Sequence, residues 1–133
     1  MKQLELKKLE LEKLEVDYKL INEECLLLRK KFKLSHPPRC CPVYLARSPD
    51  RSHTPLVWRY SSTLRGRKGM RPKVEDFWSV IQKLNESDKQ SLIEFEYERF
   101  SLNYKLAMIV YQIGRLQQFI SDYETWTIHL KQN

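Results

Sequence analysis

The residues best suited to chemistry cluster in the middle of this 133-residue chain. Between positions 34 and 74 stand nine cations, Arg39, Arg47, Arg51, Arg59, Arg65, Arg67, Lys68, Arg71 and Lys73, with Asp50 as the one acidic residue among them. Seven of the nine are arginine, whose planar fork grips phosphate oxygens in pairs and stacks on bases. Gly66 and Gly69, two of the three glycines in the chain, sit among them and let backbone approach a polyanion. The chemistry to expect is recognition of a nucleic-acid backbone, DNA in the first instance. The expected contacts are Arg47, Arg51, Arg59, Arg65, Arg67, Lys68, Arg71 and Lys73. If five or six of them met phosphates, affinity would fall on the order of 10³-fold between low and moderate salt. The plainer alternative is a solvated loop, or arginines paired with the acidic last segment. That segment can absorb two or three of them, not nine.

A second group lies on the last helical stretch. Glu96, Arg99 and Asn103 stand at i, i+3 and i+7, a spacing that puts all three on one helix face, within an otherwise apolar stripe. A charge buried there needs a hydrogen-bonded mate, and Glu96 is the obvious one for Arg99. The trio reads as a buried polar network that fixes the register of the long helices or clamps the basic segment, with a ligand or partner contact as the alternative. Tyr44, Trp58 and Tyr60 have the faces to stack on bases. Trp58 and Tyr60 alternate in phase with Leu56, however, which assigns them to the core.

Metal and nucleophile chemistry find less support. His36 and Cys40 have a zinc-like separation, but Cys40 and Cys41 are adjacent, and adjacent cysteines rarely share an ion, while His53 is distant. A reactive thiol here would have arginines to lower its pKa but no evident base. No phosphate-loop, dinucleotide or triad spacing is present. The expectation is a non-enzyme without catalytic residues, metal or cofactor.

The elements that must position these groups are legible from periodicity. Residues 3–34 form one helix: Leu4, Leu11, Tyr18, Cys25 and Phe32 recur every seven residues, with Leu14, Ile21 and Leu28 three later, the a/d seam of a coiled coil. Lys7 is the misfit in that seam. A second row, Leu6, Leu9, Val16, Leu20, Leu27 and Leu34, lies nearly opposite, so the helix calls for partners on two sides, one of them a second chain in a homo-oligomer or a third helix. Pro37 and Pro38 stop it. Val43–Arg47 and Leu56–Ser61 then read as an irregular β-hairpin across the turn-rich stretch 48–55. A basic loop follows to Lys73. Helix resumes at Val74, with Phe77, Trp78, Ile81 and Leu84 on one side and Glu75 and Asp76 in its first turn, and ends near Asn85. Ser87-Asp88-Lys89-Gln90 has the form of a capping box and opens a final helix of about 40 residues, long enough to run antiparallel to the first along its whole length. The fold class expected is mainly α, in the order α-β-β-α-α: long antiparallel coiled-coil-like helices with an inserted irregular β-hairpin and basic loop. One domain fills the chain, with a helix at 1–35, the basic hairpin and loop at 36–73, and two helices at 74–133.

Charge is distributed to match. Residues 1–33 carry nine basic and seven acidic groups, and residues 75–133 six and nine, so the formal net charge of +7 resides in the central segment. No apolar run approaches a membrane span. The charged, periodic N-terminus lacks a secretory h-region, and three cysteines do not make a disulfide framework, so a cytoplasmic protein is expected.

The run Leu56-Val57-Trp58-Arg59, a Gly-containing basic loop, Phe77-Trp78 in a short helix, then Glu96-x-x-Arg99-x-x-Leu102-Asn103 in a long one together resemble the small helical proteins encoded by conjugative plasmids and integrative elements. Among these are the MobI-type mobilisation proteins. The likeness covers residues 55–125 and rests on scattered positions. It implies an accessory factor that acts on mobile-element DNA near a transfer origin and assists a relaxase without cutting DNA itself. The residues concerned would be Trp58, Arg59, Arg99 and Asn103. The adjacent cysteines and the heptad N-terminal helix fall outside the pattern. The alternative of another class is a structural or adaptor coiled-coil protein whose stripes engage a protein partner.

Overall fold

The computed structural model describes residues 2–49, 53–63 and 66–132. A helix α1 (Lys2–Ser35) leads into a two-stranded antiparallel hairpin, β1 (Val43–Arg47) and β2 (Leu56–Tyr60). A short helix α2 (Val74–Ile81) and a 47-residue helix α3 (Glu86–Gln132) follow. The chain is therefore mainly helical in the order α-β-β-α-α, with a hairpin set between long terminal helices. No helix among the described residues is long and apolar enough to cross a membrane.

α1 runs without a helix breaker until Pro37. The His36 N–H closes its last turn on the Phe32 carbonyl at 2.7 Å, and Cys40 and Cys41 N–H groups turn back onto the Pro37 carbonyl. At the far end of the hairpin, β1 and β2 pair in the register Val43↔Tyr60 to Arg47↔Leu56. The ladder is extended by Ser61 N–H to Pro42 and by Ser48 N–H to Pro55, each at 2.8 Å. Period-2 alternation buries Leu56, Trp58 and Tyr60 and leaves Val57 and Arg59 half-buried.

The boundary between the last two helices differs from the one the capping pattern suggests. α2 ends at Ile81, and a turn through Gln82–Leu84 precedes α3. The residue that caps α3 is Asn85, not Ser87. Its Oδ1 accepts the Asp88 N–H at 2.8 Å, and its Nδ2 donates to the Asp88 carboxylate at 3.0 Å. Asparagine fills this role as well as serine does, and the Asp88 carboxylate takes a bond from the cap's own side-chain amide, two residues before the Gln90 of the expected box.

α1 and α3 run antiparallel. Near the hairpin, His36 Nε2 meets Ser91 Oγ at 2.9 Å, while toward the other end Lys8 pairs with Glu124 at 3.3 Å. Forty-seven residues give α3 a length of about 70 Å, so the pair forms a long stem. Lys7, the misfit of the seam, sets its ammonium 5.7 Å from the Phe119 ring centroid and 3.4 Å from Glu10, which accommodates a cation at an apolar position.

The core sits where the stem meets the hairpin. Cys25, Leu28 and Phe32 of α1, Val43, Leu45, Leu56, Trp58 and Tyr60 of the hairpin, Phe77 and Ile81 of α2, and Leu92, Phe95 and Leu102 of α3 form one cluster. Phe32 is its hub, with ring centroids 5.0 Å from Trp58 and 4.9 Å from Phe95, both edge-on, a favoured aromatic geometry. Farther along the stem Leu106, Ile109, Leu116 and Ile120 of α3 are buried, but the facing Leu4, Leu11, Leu14, Tyr18 and Ile21 of α1 are only half so. The second row on α1 is not covered by the described residues: its six members are between 52% and 84% exposed. α3 carries its own exposed row of Tyr97, Phe100, Tyr104 and Tyr111.

Candidate functional site

Glu96, Arg99 and Asn103 converge on β2. The Asn103 side chain behaves as a stand-in strand: its Oδ1 accepts the Leu56 N–H at 2.8 Å and its Nδ2 donates to the Leu56 carbonyl at 2.9 Å. Arg99 adds a second donor to that carbonyl at 3.1 Å and holds the Glu96 carboxylate at 2.5 Å. The other Glu96 oxygen accepts the Trp58 indole N–H at 2.8 Å. With side chains 18% and 13% exposed, Arg99 and Glu96 form a paired, mostly buried ion pair, the condition under which such charges are tolerated. The Arg99 guanidinium also lies 4.8 Å from the Phe100 ring centroid.

The same edge of β2 is closed at its other end by the basic loop. Tyr60 N–H donates to the Met70 carbonyl at 2.9 Å, and Gly69 N–H donates to the Tyr60 carbonyl at 2.8 Å. Gly66 and Gly69 take φ of 78° and 80°, which a side chain would strain, so the loop needs glycine there. The edge that faces away from β1 is thus covered at Leu56 by α3 and at Tyr60 by residues 69–70, which removes a template for edge-to-edge pairing.

The cations of this region divide into two groups. Arg47 turns into the protein: its Nε donates to the Thr54 carbonyl at 2.5 Å, and one terminal nitrogen to Thr54 Oγ1 at 2.7 Å and Asn22 Oδ1 at 2.6 Å. Thr54 has a φ of 40°, an unfavourable conformation for a β-branched residue before proline, and Arg47 holds it there. Arg59 donates to the Gly69 carbonyl at 2.7 Å, pinning the loop. Arg71 donates to the hydroxyl of Ser48, which is fully buried. Arg67, Lys68 and Lys73 are exposed, with the Arg67 guanidinium 5.9 Å from the Tyr60 ring, and Arg39 is exposed near the hairpin's start. Arg51 and Arg65 lie outside the described residues. Neither Asn22 nor Ser48, the acceptors that fix Arg47 and Arg71, stands out in the sequence, since Asn22 is one polar residue on a long helix and Ser48 one of several in a turn-rich stretch.

Trp58 and Tyr60 are buried, while Tyr44 is half-exposed. A cleft of about 290 Å³ opens beside Trp58, walled by Phe77, Trp78 and Phe100 and rimmed by Arg71 and Arg99. His36 and Cys41 are buried, Cys40 is exposed, and no three metal-ligating side chains come together among the described residues. Burial raises the Cys25 thiol above its ordinary pKa of 9.0 against the opposing pull of Arg47, and raises Cys41 against a hydrogen bond from the Val43 backbone.

The arrangement defines a helical stem bearing a hairpin head whose loop is held in shape from behind. Comparisons with protein-family models, curated proteins and solved structures give no match.

Proposed function

We propose that the protein is a nucleic-acid-binding accessory protein that presents its basic loop to a phosphate backbone and uses its stem to meet a protein partner. The observation that carries this reading is the pre-shaped loop. Arg59 and the two backbone bonds to Tyr60 hold Gly69 and Met70 against β2, and the Met70 N–H closes a turn on the Arg67 carbonyl at 3.0 Å, so Arg67 and Lys68 project from a fixed platform with Lys73 nearby. Little ordering cost then opposes binding. Arg47 acts behind the surface, as a strap on the interstrand loop, and Arg99 and Asn103 clamp the platform to the stem. On the resemblance to MobI-type proteins, the nucleic acid would be mobile-element DNA and the partner a relaxase.

The test is a salt titration of binding to duplex and single-stranded DNA. The triple variant Arg67→Ala/Lys68→Ala/Lys73→Ala should lower the slope of log affinity against log salt by roughly 0.9 for each duplex phosphate that is no longer neutralised. No binding at about 50 mM salt, or an unchanged slope, would reject the reading.

A second reading is favoured by a different observation, the exposed apolar rows on α1 and α3. Rows of that length mark protein contacts, and an adaptor without nucleic-acid affinity would keep its partner when the three loop cations are removed.

A further inference from the structure

The exposed row of α1 continues in strict 3-4 spacing when its charged members are included: Leu6, Leu9, Lys13, Val16, Leu20, Glu23, Leu27, Lys30, Leu34. It is a second heptad seam, about 42 Å long, with three charges at seam positions. None of Lys13, Glu23 and Lys30 has an ion-pair partner among the described residues. Where those charges fall decides what can cover the row.

We infer that the row binds the same row of a second copy, antiparallel, with Lys13 opposite Glu23 of the second copy. A parallel pair would set Lys13 on Lys13, Glu23 on Glu23 and Lys30 on Lys30, like charges inside an interface. Antiparallel pairing matches each first seam position with a second one. One register places Val16 against Leu20, Leu9 against Leu27 and Lys13 against Glu23, each occurring twice about the two-fold axis, with Leu6 against Lys30 at the ends, where the ammonium reaches water past its apolar stem. Sliding by one heptad either leaves Lys13 on Val16 and Glu23 on Leu6, or sets Lys13 against Lys30. Only the first register neutralises the two central charges. The rim is mixed: Glu5 lies beside Lys33, while Glu10 meets Glu24 and Asp17 and Lys19 each meet their own copy across the axis, all on solvated edges, where like charges matter little. Leu20 and Leu27 border grooves shared with Tyr97, Tyr104 and Met108 of α3, and Lys30 one shared with Tyr44 of the hairpin, so these side chains flank the pairing, and the antiparallel stems set the two heads at opposite ends. The pairing does not depend on what the head binds.

Sedimentation equilibrium of the full chain tests it. The wild-type chain should be dimeric at micromolar concentration, and Lys13→Glu and Glu23→Lys should each weaken the dimer by about 10-fold or more, since each creates two like-charge pairs. Lys13→Glu/Glu23→Lys together should restore affinity to within about 3-fold of wild type. Both residues are exposed, so circular dichroism should show unchanged helix content. A chain still monomeric at about 100 µM, weaker than most specific contacts, would overturn the inference. So would a double variant no tighter than the singles, the outcome for parallel pairing, for contact through α3, or for a row reserved for another protein.

Discussion

Replacing Asn103 with alanine isolates the contact by which α3 holds the hairpin. Leu56 is fully buried, and its N–H and carbonyl face away from β1. In the variant the Leu56 carbonyl keeps Arg99 at 3.1 Å, but its N–H is deprived of the only acceptor it has among the described residues. An orphaned buried N–H costs about 1–3 kcal/mol, and removal of the second bond is partly compensated by Arg99, so a loss of about 2 kcal/mol is expected. For a domain of this size that corresponds to a fall of roughly 8 °C in Tm. Urea unfolding should show the same loss as a lower midpoint at constant slope. Hydrogen exchange locates the effect: the Leu56 amide should lose protection while Val57 and Arg59, bonded within the ladder, keep theirs. A loss below about 0.5 kcal/mol with an unchanged Leu56 amide would refute the view that the Asn103 amide substitutes for a strand.

Arg47→Ala should cost about 2–3 kcal/mol, because three charge-assisted bonds to Thr54 and Asn22 vanish, yet leave the salt slope of DNA binding unaltered. Arg67→Ala should do the reverse, lowering the slope with little change in urea midpoint. Glu96→Ala leaves the Trp58 indole N–H and Arg99 without their shared acceptor and should destabilise by about 3 kcal/mol or more, with a shift in tryptophan emission. The thiols predict a pH effect. Because Cys25 and Cys41 are raised in the folded state, the native chain holds their protons more tightly than the unfolded one. Their contribution to stability is intact below pH about 9 and is lost as pH rises through the folded values, which urea midpoints from about pH 8 upward would record. Alkylation should label exposed Cys40 first, and simultaneous labelling of all three thiols would contradict the burial of the other two.

The long elements were legible because each carries a repeated signal. Seven-residue recurrence from Leu4 to Phe32 marks α1, the prolines at 37 and 38 end it, and 3-4 spacing from Leu92 to Ile120 marks α3. Boundaries set by a single side chain were less so. Asn85 and Ser87 are both good caps, and the choice turns on whether Asp88 or Gln90 reaches back. The trio Glu96, Arg99 and Asn103 is visible as polar residues in an apolar stripe, but its partners are the backbone of Leu56 and the indole of Trp58, some 40 residues distant, which local pattern does not encode. The arginines show the same limit. Type and number point to a polyanion, whereas the inward turn of Arg47 depends on Asn22 and on the backbone of Thr54, neither of which carries a sequence signal. Lys7 shows a misfit resolved by the fold, since the Phe119 ring that receives its charge lies more than a hundred residues on.

The uneven packing along the stem has a dynamic consequence. The side that buries Cys25, Leu28, Phe32, Phe95 and Leu102 is locked into the hairpin, whereas residues 2–20 of α1 meet α3 through half-covered side chains and one exposed ion pair, Lys8 with Glu124. Opening should therefore begin at the end remote from the hairpin and grow costlier with each turn toward it, as in a clothes-peg hinged at the core. Amide exchange along α1 would rise in steps from Cys25 back toward Lys2, and a protease would cut the first helix at the end remote from the hairpin while the hairpin stayed folded.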